Sequence, residues 1–161
     1  MYTSAALLDM HARGHRSFAK LLAHCSEFNS EELHREIPGF GYGTLQLQLH
    51  HMIGAQDYWI RVALGNMLEE DKPEEYPTVE SLVTYRDQVV SMTDDYLRSA
   101  SEAELNTERS MTVWTDMQEN LMPAQVFMRT LTHMYHHQGQ VLAMCRLLGR
   151  PLSDGMDFPL K

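Results

Sequence analysis

Four stretches of roughly 20–25 residues carry apolar side chains at helical spacing, and only short segments join them. That pattern limits the chain to a few ways of burying its apolar faces. The first stretch runs from Ser4 to Phe28, where Leu8, Phe18 and Leu22 share a stripe with His11 and His15. The second runs from Thr44 to Leu68, with Thr44 suited to capping its first turn. The third runs from Thr78 to Ala100 and is patterned by Leu82, Tyr85, Val89, Met92 and Tyr96. The fourth runs from Pro123 to Leu148; proline suits a first turn, and Gly149 with Pro151 suits a stop. Ser30 is expected to cap a short turn through Glu31, Glu32 and Leu33. Pro38–Gly43 reads as a loop, because three glycines and a proline break the periodicity. Glu69–Pro77 is acidic, carries two prolines, and reads as an exposed loop. Between Ala100 and Asn120 the pattern weakens, although Ser110–Thr115 alternates enough for a short strand or hairpin. With no linker and no internal repeat, the expected architecture is one all-α domain over residues 1–161. It is a four-helix bundle with room for a short hairpin before the last helix.

Charge and cysteine content exclude several partner classes. The 161 residues include 13 Lys+Arg against 22 Asp+Glu, a net charge of −9 with histidines neutral. Nucleic acid and anionic membrane surfaces favour a basic face, so neither is an expected partner. No apolar run approaches the roughly 18 residues of a membrane span, and the opening residues do not form a secretory signal. Cys25 and Cys145 make no CxxC pair and are expected to be buried, inert thiols. The expected setting is the reducing cytoplasm.

Nine histidines need an explanation. Successive residues on a helix point about 100° apart, so each histidine doublet divides between faces. In the second stretch His50 joins Gln46, Asp57 and Arg61 on a polar stripe expected to face water. His51 joins Leu47, Gly54, Ala55, Tyr58 and Val62 and is expected to lie well away from solvent. In the fourth, His136 joins Gln125, Arg129, Thr132 and Arg146, a polar stripe. His133 and His137, four residues apart, share a face with Val126, Thr130, Val141 and Met144.

The inward set is therefore His51, His133 and His137. Buried imidazoles need partners for their nitrogens, and a divalent metal supplies one, because neutral imidazole is its commonest nitrogen ligand. Three protein ligands also leave a coordination position open, as in catalytic sites. The plainer alternative is a hydrogen-bonded histidine pair with no metal. Spacing alone does not decide, because His11 and His15 are also four apart on an apolar stripe and compete for the same role. Their plainer reading is as histidines at the core edge or a dimer interface.

The stretch Gly43–Ile60, with His50-His51-Met52 and Tyr58-Trp59 inside it, resembles the second helix of the DinB/YfiT-like family of metal-binding four-helix proteins. There a histidine is followed five positions on by an acidic residue and then by an aromatic pair. His51 falls on that histidine, and Gln56 stands where an acidic residue is common. His133-Met134-Tyr135-His136-His137-Gln138-Gly139-Gln140 resembles the family's second signature, two histidines four apart followed by Gly-Gln. Here Gln138 replaces the usual arginine. The resemblance implies His51, His133 and His137 as metal ligands and gives His11 and His15 no counterpart among them.

It also implies a divalent metal cofactor, zinc or nickel foremost, and an activity. Family members with known activities include thiol transferases acting with low-molecular-weight thiols. The implied function is a metal-dependent thiol S-transferase that joins such a thiol to a small electrophile in stress or detoxification. Two alternatives share the site: a metal-dependent hydrolase of a small amide or ester, and a non-enzymatic stress-related binding module. Against the hydrolase, no inward Asp or Glu stands beside the histidines as a general base. Relatives imply a homodimer, in keeping with helices apolar on more than one face.

Overall fold

In the computed structural model of this protein, all residues are described except 69–71, 115 and 154–155. Four long helices form the bundle: α1 (Ser4–Cys25), α3 (Leu45–Leu64), α4 (Val79–Ser99) and α6 (Pro123–Leu147). One-turn helices α2 (Ser30–Leu33) and α5 (Glu102–Leu105) lie in the joins. An antiparallel hairpin precedes α6, with β1 (Arg109–Val113) paired to β2 (Met117–Leu121) and Val113 opposite Met117. Thr115, at the end of the expected strand, lies outside the described residues.

Local chemistry sets the helix ends. Thr44 and Thr78 cap α3 and α4, their hydroxyls accepting from the backbone N–H groups of Leu47 and Ser81 at 3.1 and 3.2 Å. The cap of α2 is Asn29, not Ser30. Its side chain accepts from Glu32 N–H at 2.9 Å, while the Glu32 carboxylate takes Asn29 N–H at 3.0 Å. This reciprocal pairing satisfies two free donors where a serine one residue later satisfies neither. α3 stops at Leu64 rather than Leu68, because Gly65 turns left-handed at φ 75° and closes the last turn on the Arg61 and Val62 carbonyls. α1 stops at Cys25 rather than Phe28.

The core forms two apolar clusters at opposite ends of the bundle. One gathers Phe18, Leu22, Leu45, Leu49, Leu82 and Met144. The other gathers Leu7, Val62, Leu97, Val113, Val126 and Phe127. Met111 and Val113 alternate inward, which is how the hairpin closes the second cluster. At the level between the clusters, α1 and α6 approach closely at Gly14, where a Cβ would lie 2.6 Å from Leu131 Cδ1. Buried His11, His15, Gln56, Thr93 and Thr130 occupy this waist.

One expected face is corrected. Gln46 and His50 are buried rather than turned to water, at 4% and 3% exposure. The segment after α3 folds back across them. Gln46 Nε2 donates to the Pro73 and Tyr76 carbonyls at 2.8 and 3.0 Å. His50 lies against the rings of Tyr76 and Tyr85. Long-range packing thus covers a stripe whose own composition is polar. Glu69, Glu70 and Asp71 of the expected loop lie outside the described residues. No described helix is long and apolar enough to cross a membrane.

Candidate metal centre

Helices α3 and α6 run in opposite directions, since Gln48 reaches Gln140 while Trp59 lies under Arg129 further up α3. This seam brings His51 of α3 onto His133 and His137 of α6. One ligand atom from each histidine lies within 4.8 Å of the other two. The imidazole centroids are 4.4–5.0 Å apart. His137 is buried; His51 and His133 are half-buried rather than fully enclosed, so the centre opens at one side.

The imidazoles are held neutral. Burial, with His133 and His50 nearby, pulls the His51 pKa down to about 4. Burial and the neighbouring His133, His51 and His136 pull His137 down to about 4 as well. His133 is lowered by burial and by the Arg129 charge. Neutral imidazole is the form that offers a lone pair to a cation.

Orientation comes from the surroundings. His137 Nδ1–H donates to Gln48 Oε1 at 2.9 Å, which leaves Nε2 as the nitrogen with its lone pair available. Gln48 Nε2 in turn donates to Gln140 Oε1 at 2.9 Å, and Gln140 Nε2 to His136 Nε2 at 3.0 Å. His136 is exposed, as its stripe predicts. Tyr42 stacks on His51 at 4.0 Å between centroids and fixes that ring from the loop side. His51 Nε2 and His133 Nε2 stand 2.9 Å apart. Without an ion, one must donate to the other; a shared cation satisfies both lone pairs and the third. Three neutral nitrogens and no carboxylate or thiolate suit a divalent first-row ion. Among the described residues, this is the one group of three or more His, Cys, Asp or Glu side chains placed to hold a metal.

His11 and His15 do not join it. Each is buried, and each is saturated with hydrogen bonds. His11 Nδ1–H donates to Asp94 Oδ1 at 2.8 Å, and its Nε2 accepts from Gln56 Nε2 at 2.9 Å. His15 Nε2–H donates to Gln56 Oε1 at 3.0 Å, and Arg86 Nε donates to its Nδ1 at 3.4 Å. They are core residues rather than residues of the core edge. Gln138, where the family usually has arginine, is buried and ties α6 to the C-terminal segment by donating to the Met156 carbonyl. Cys25 and Cys145 are buried free thiols.

Gln48 and Tyr42 were not singled out by the sequence pattern, and Gln140 entered only as the last residue of the second signature, without a role. Gln48 did leave a signal: an uncharged amide set among Leu45, Leu47 and Leu49 must find a partner if buried. Tyr42, in a glycine-rich loop, left none.

The fold and site together describe a four-helix bundle with an antiparallel hairpin and three histidines, from two facing helices, that could hold a metal ion. The DinB family profile matches residues 1–161, and the chain belongs to that family. The crystal structure of a conserved protein from Enterococcus faecalis has the same fold. It shares 18% sequence identity, with a TM-score of 0.64 over 92% of this chain and 99% of that one. No curated protein matches the chain.

Proposed function

We propose that the protein is a metal-dependent thiol S-transferase, with one divalent ion held by His51, His133 and His137. The observation that carries this reading is the convergence of one nitrogen from each of three imidazoles, within 4.8 Å of one another, at the α3–α6 seam. When bound, the ion supplies Lewis acidity that lowers the pKa of a thiol at its open position. The chain's own residues orient and shield. Gln48 fixes the His137 tautomer, and Tyr42 holds the His51 ring against rotation. In the transfer, the sulfur–carbon bond forms at the electrophile, the thiol proton passes to solvent, and the leaving group departs with its bonding electrons. The working form is a homodimer, and its substrate a small molecule rather than nucleic acid or membrane.

The test is elemental analysis of untagged protein, followed by a thiol-consumption assay. Wild type and His11→Ala are expected to carry about one equivalent of metal, and His51→Ala, His133→Ala and His137→Ala almost none. Glutathione, bacillithiol and mycothiol are then offered with 1-chloro-2,4-dinitrobenzene. Metal-dependent thiol loss supports the transferase. Thiol-independent cleavage of p-nitrophenyl acetate, lost in the same variants, replaces it with a hydrolase. Bound metal with neither activity replaces it with a binding module.

A further inference from the structure

A groove of about 480 Å³ lies between the hairpin, α3 and α6. Trp59, Trp114, Met117 and Met122 supply most of its apolar wall, with Arg129 and Glu119 as its charged side chains. It continues the seam that holds the centre. Arg129 precedes His133 by one turn on α6, about 6 Å along the axis. On α3, Ala55 stands between His51 and Trp59 at four-residue steps.

Three features mark the groove as built to bind. Trp114 is 51% exposed although it is a large aromatic, and Met117 is 53% exposed. The Trp114 backbone lies at φ 35°, a conformation costly for a bulky residue. Its indole stacks on Tyr58 at 4.7 Å, and the Trp114 backbone N–H donates to the Tyr58 hydroxyl at 2.8 Å. The Arg129 guanidinium lies 5.0 Å over the Trp59 ring. Among the described residues no carboxylate pairs with it within 4.0 Å, although Glu119 lines the same groove. An arginine fork with no protein anion on it can take a carboxylate through two parallel hydrogen bonds. Glu119, on the hairpin wall, repels an anion from that side and leaves the Arg129 side as its place.

We propose that this groove is the substrate subsite of the centre, and that it takes a flat apolar or aromatic molecule bearing one carboxylate, with the carboxylate on Arg129. The flat body lies between Trp114, Met117 and Met122, and the end nearest the carboxylate faces the histidines. That last orientation rests on the proposed metal centre; occupancy of the groove does not.

The chain's two tryptophans both line the groove, so quenching of their fluorescence reports binding directly. The probes are 2-naphthoate and its neutral isostere 2-naphthamide. Wild type is expected to bind the acid about tenfold more tightly than the amide. Arg129→Gln is expected to erase that preference while keeping amide affinity, which also shows that the variant is folded. Trp114→Ala is expected to weaken both probes, and Glu119→Gln to tighten the acid alone. His133→Ala is expected to keep the preference, so loss of the metal leaves this result standing. Equal affinity for acid and amide in wild type overturns the proposal, as does an acid preference that survives Arg129→Gln. An acid preference lost in His133→Ala also overturns it, because the carboxylate is then held at the histidines.

Discussion

Two glutamines on the same helix each bond histidines from one of the four-spaced pairs, and they do opposite things with them. Gln56 is buried at the waist and bonds His11, His15 and Thr93 at once. Every ring nitrogen it meets is thereby used up. Gln48, eight residues earlier, touches one ring nitrogen of one histidine and leaves the other bare. Both histidine pairs, His11/His15 and His133/His137, have the same four-residue spacing and the same inward orientation. The difference lies in what saturates the nitrogens. A closed network fixes the core, whereas a network closed on one side only prepares a ligand.

The largest effect is expected from breaking the closed network. Gln56→Leu keeps the volume but strands the His15 Nε2 donor, the His11 Nε2 acceptor and one Thr93 contact. At 1–3 kcal/mol for each buried orphan, the loss is about 3–5 kcal/mol of folding stability. Urea unfolding checks it, and metal stoichiometry is expected to stay at the wild-type level. A variant as stable as wild type would mean that the network contributes nothing net.

Acid acts on the same network. Burial, with the charges of His11 and Arg86 nearby, pulls the His15 pKa down to about 3, and burial lowers His11 despite its bond to Asp94. A histidine whose folded pKa is depressed binds its proton in the unfolded chain first. Stability is therefore fully present above the unfolded pKa of about 6.5 and falls as pH drops below it, flattening only near 3. For His15 alone the loss at pH 4.5 is about 3 kcal/mol relative to neutral pH. Protonating His11 at Nε2 would also point a donor at the Gln56 amide, and turning that amide would point a donor at His15. Gln56→Glu offers both rings an acceptor and is expected to flatten the pH dependence. Unfolding midpoints between pH 7 and 4 decide it.

This contrast also explains what could be read in advance. The four long helices and the Thr44 cap were legible because periodicity and cap chemistry are local; spacing put His51, His133 and His137 inward, and the family resemblance separated them from His11 and His15. The role of His11 and His15 was not legible. Their saturation depends on Asp94 and Arg86 of α4, dozens of residues away. Burial of His50 was hidden for the same reason, since Tyr76 and Tyr85 arrive from outside the helix. The hairpin was faint because only Met111 and Val113 alternate inward, while most of β2 is exposed.

The open network predicts a graded series. Gln48→Leu removes the acceptor that fixes the His137 tautomer and is expected to weaken metal binding 10–100-fold. Its cost in stability is expected to be smaller than that of Gln56→Leu, because it strands the buried His137 Nδ1–H and the part-buried Gln140 Oε1 rather than three buried groups. Gln140→Leu leaves Gln48 in place but frees its amide to turn, and about threefold is expected. His136→Ala removes an exposed terminus that water can replace, so the change should stay within about twofold. Competition against a chelator measures all three. A steep decline with distance from His137 means that the glutamines act by orientation. Equal losses at Gln48, Gln140 and His136 would instead mean that the four groups share their polarisation as a unit, with the surface histidine tuning how strongly His137 donates to the ion.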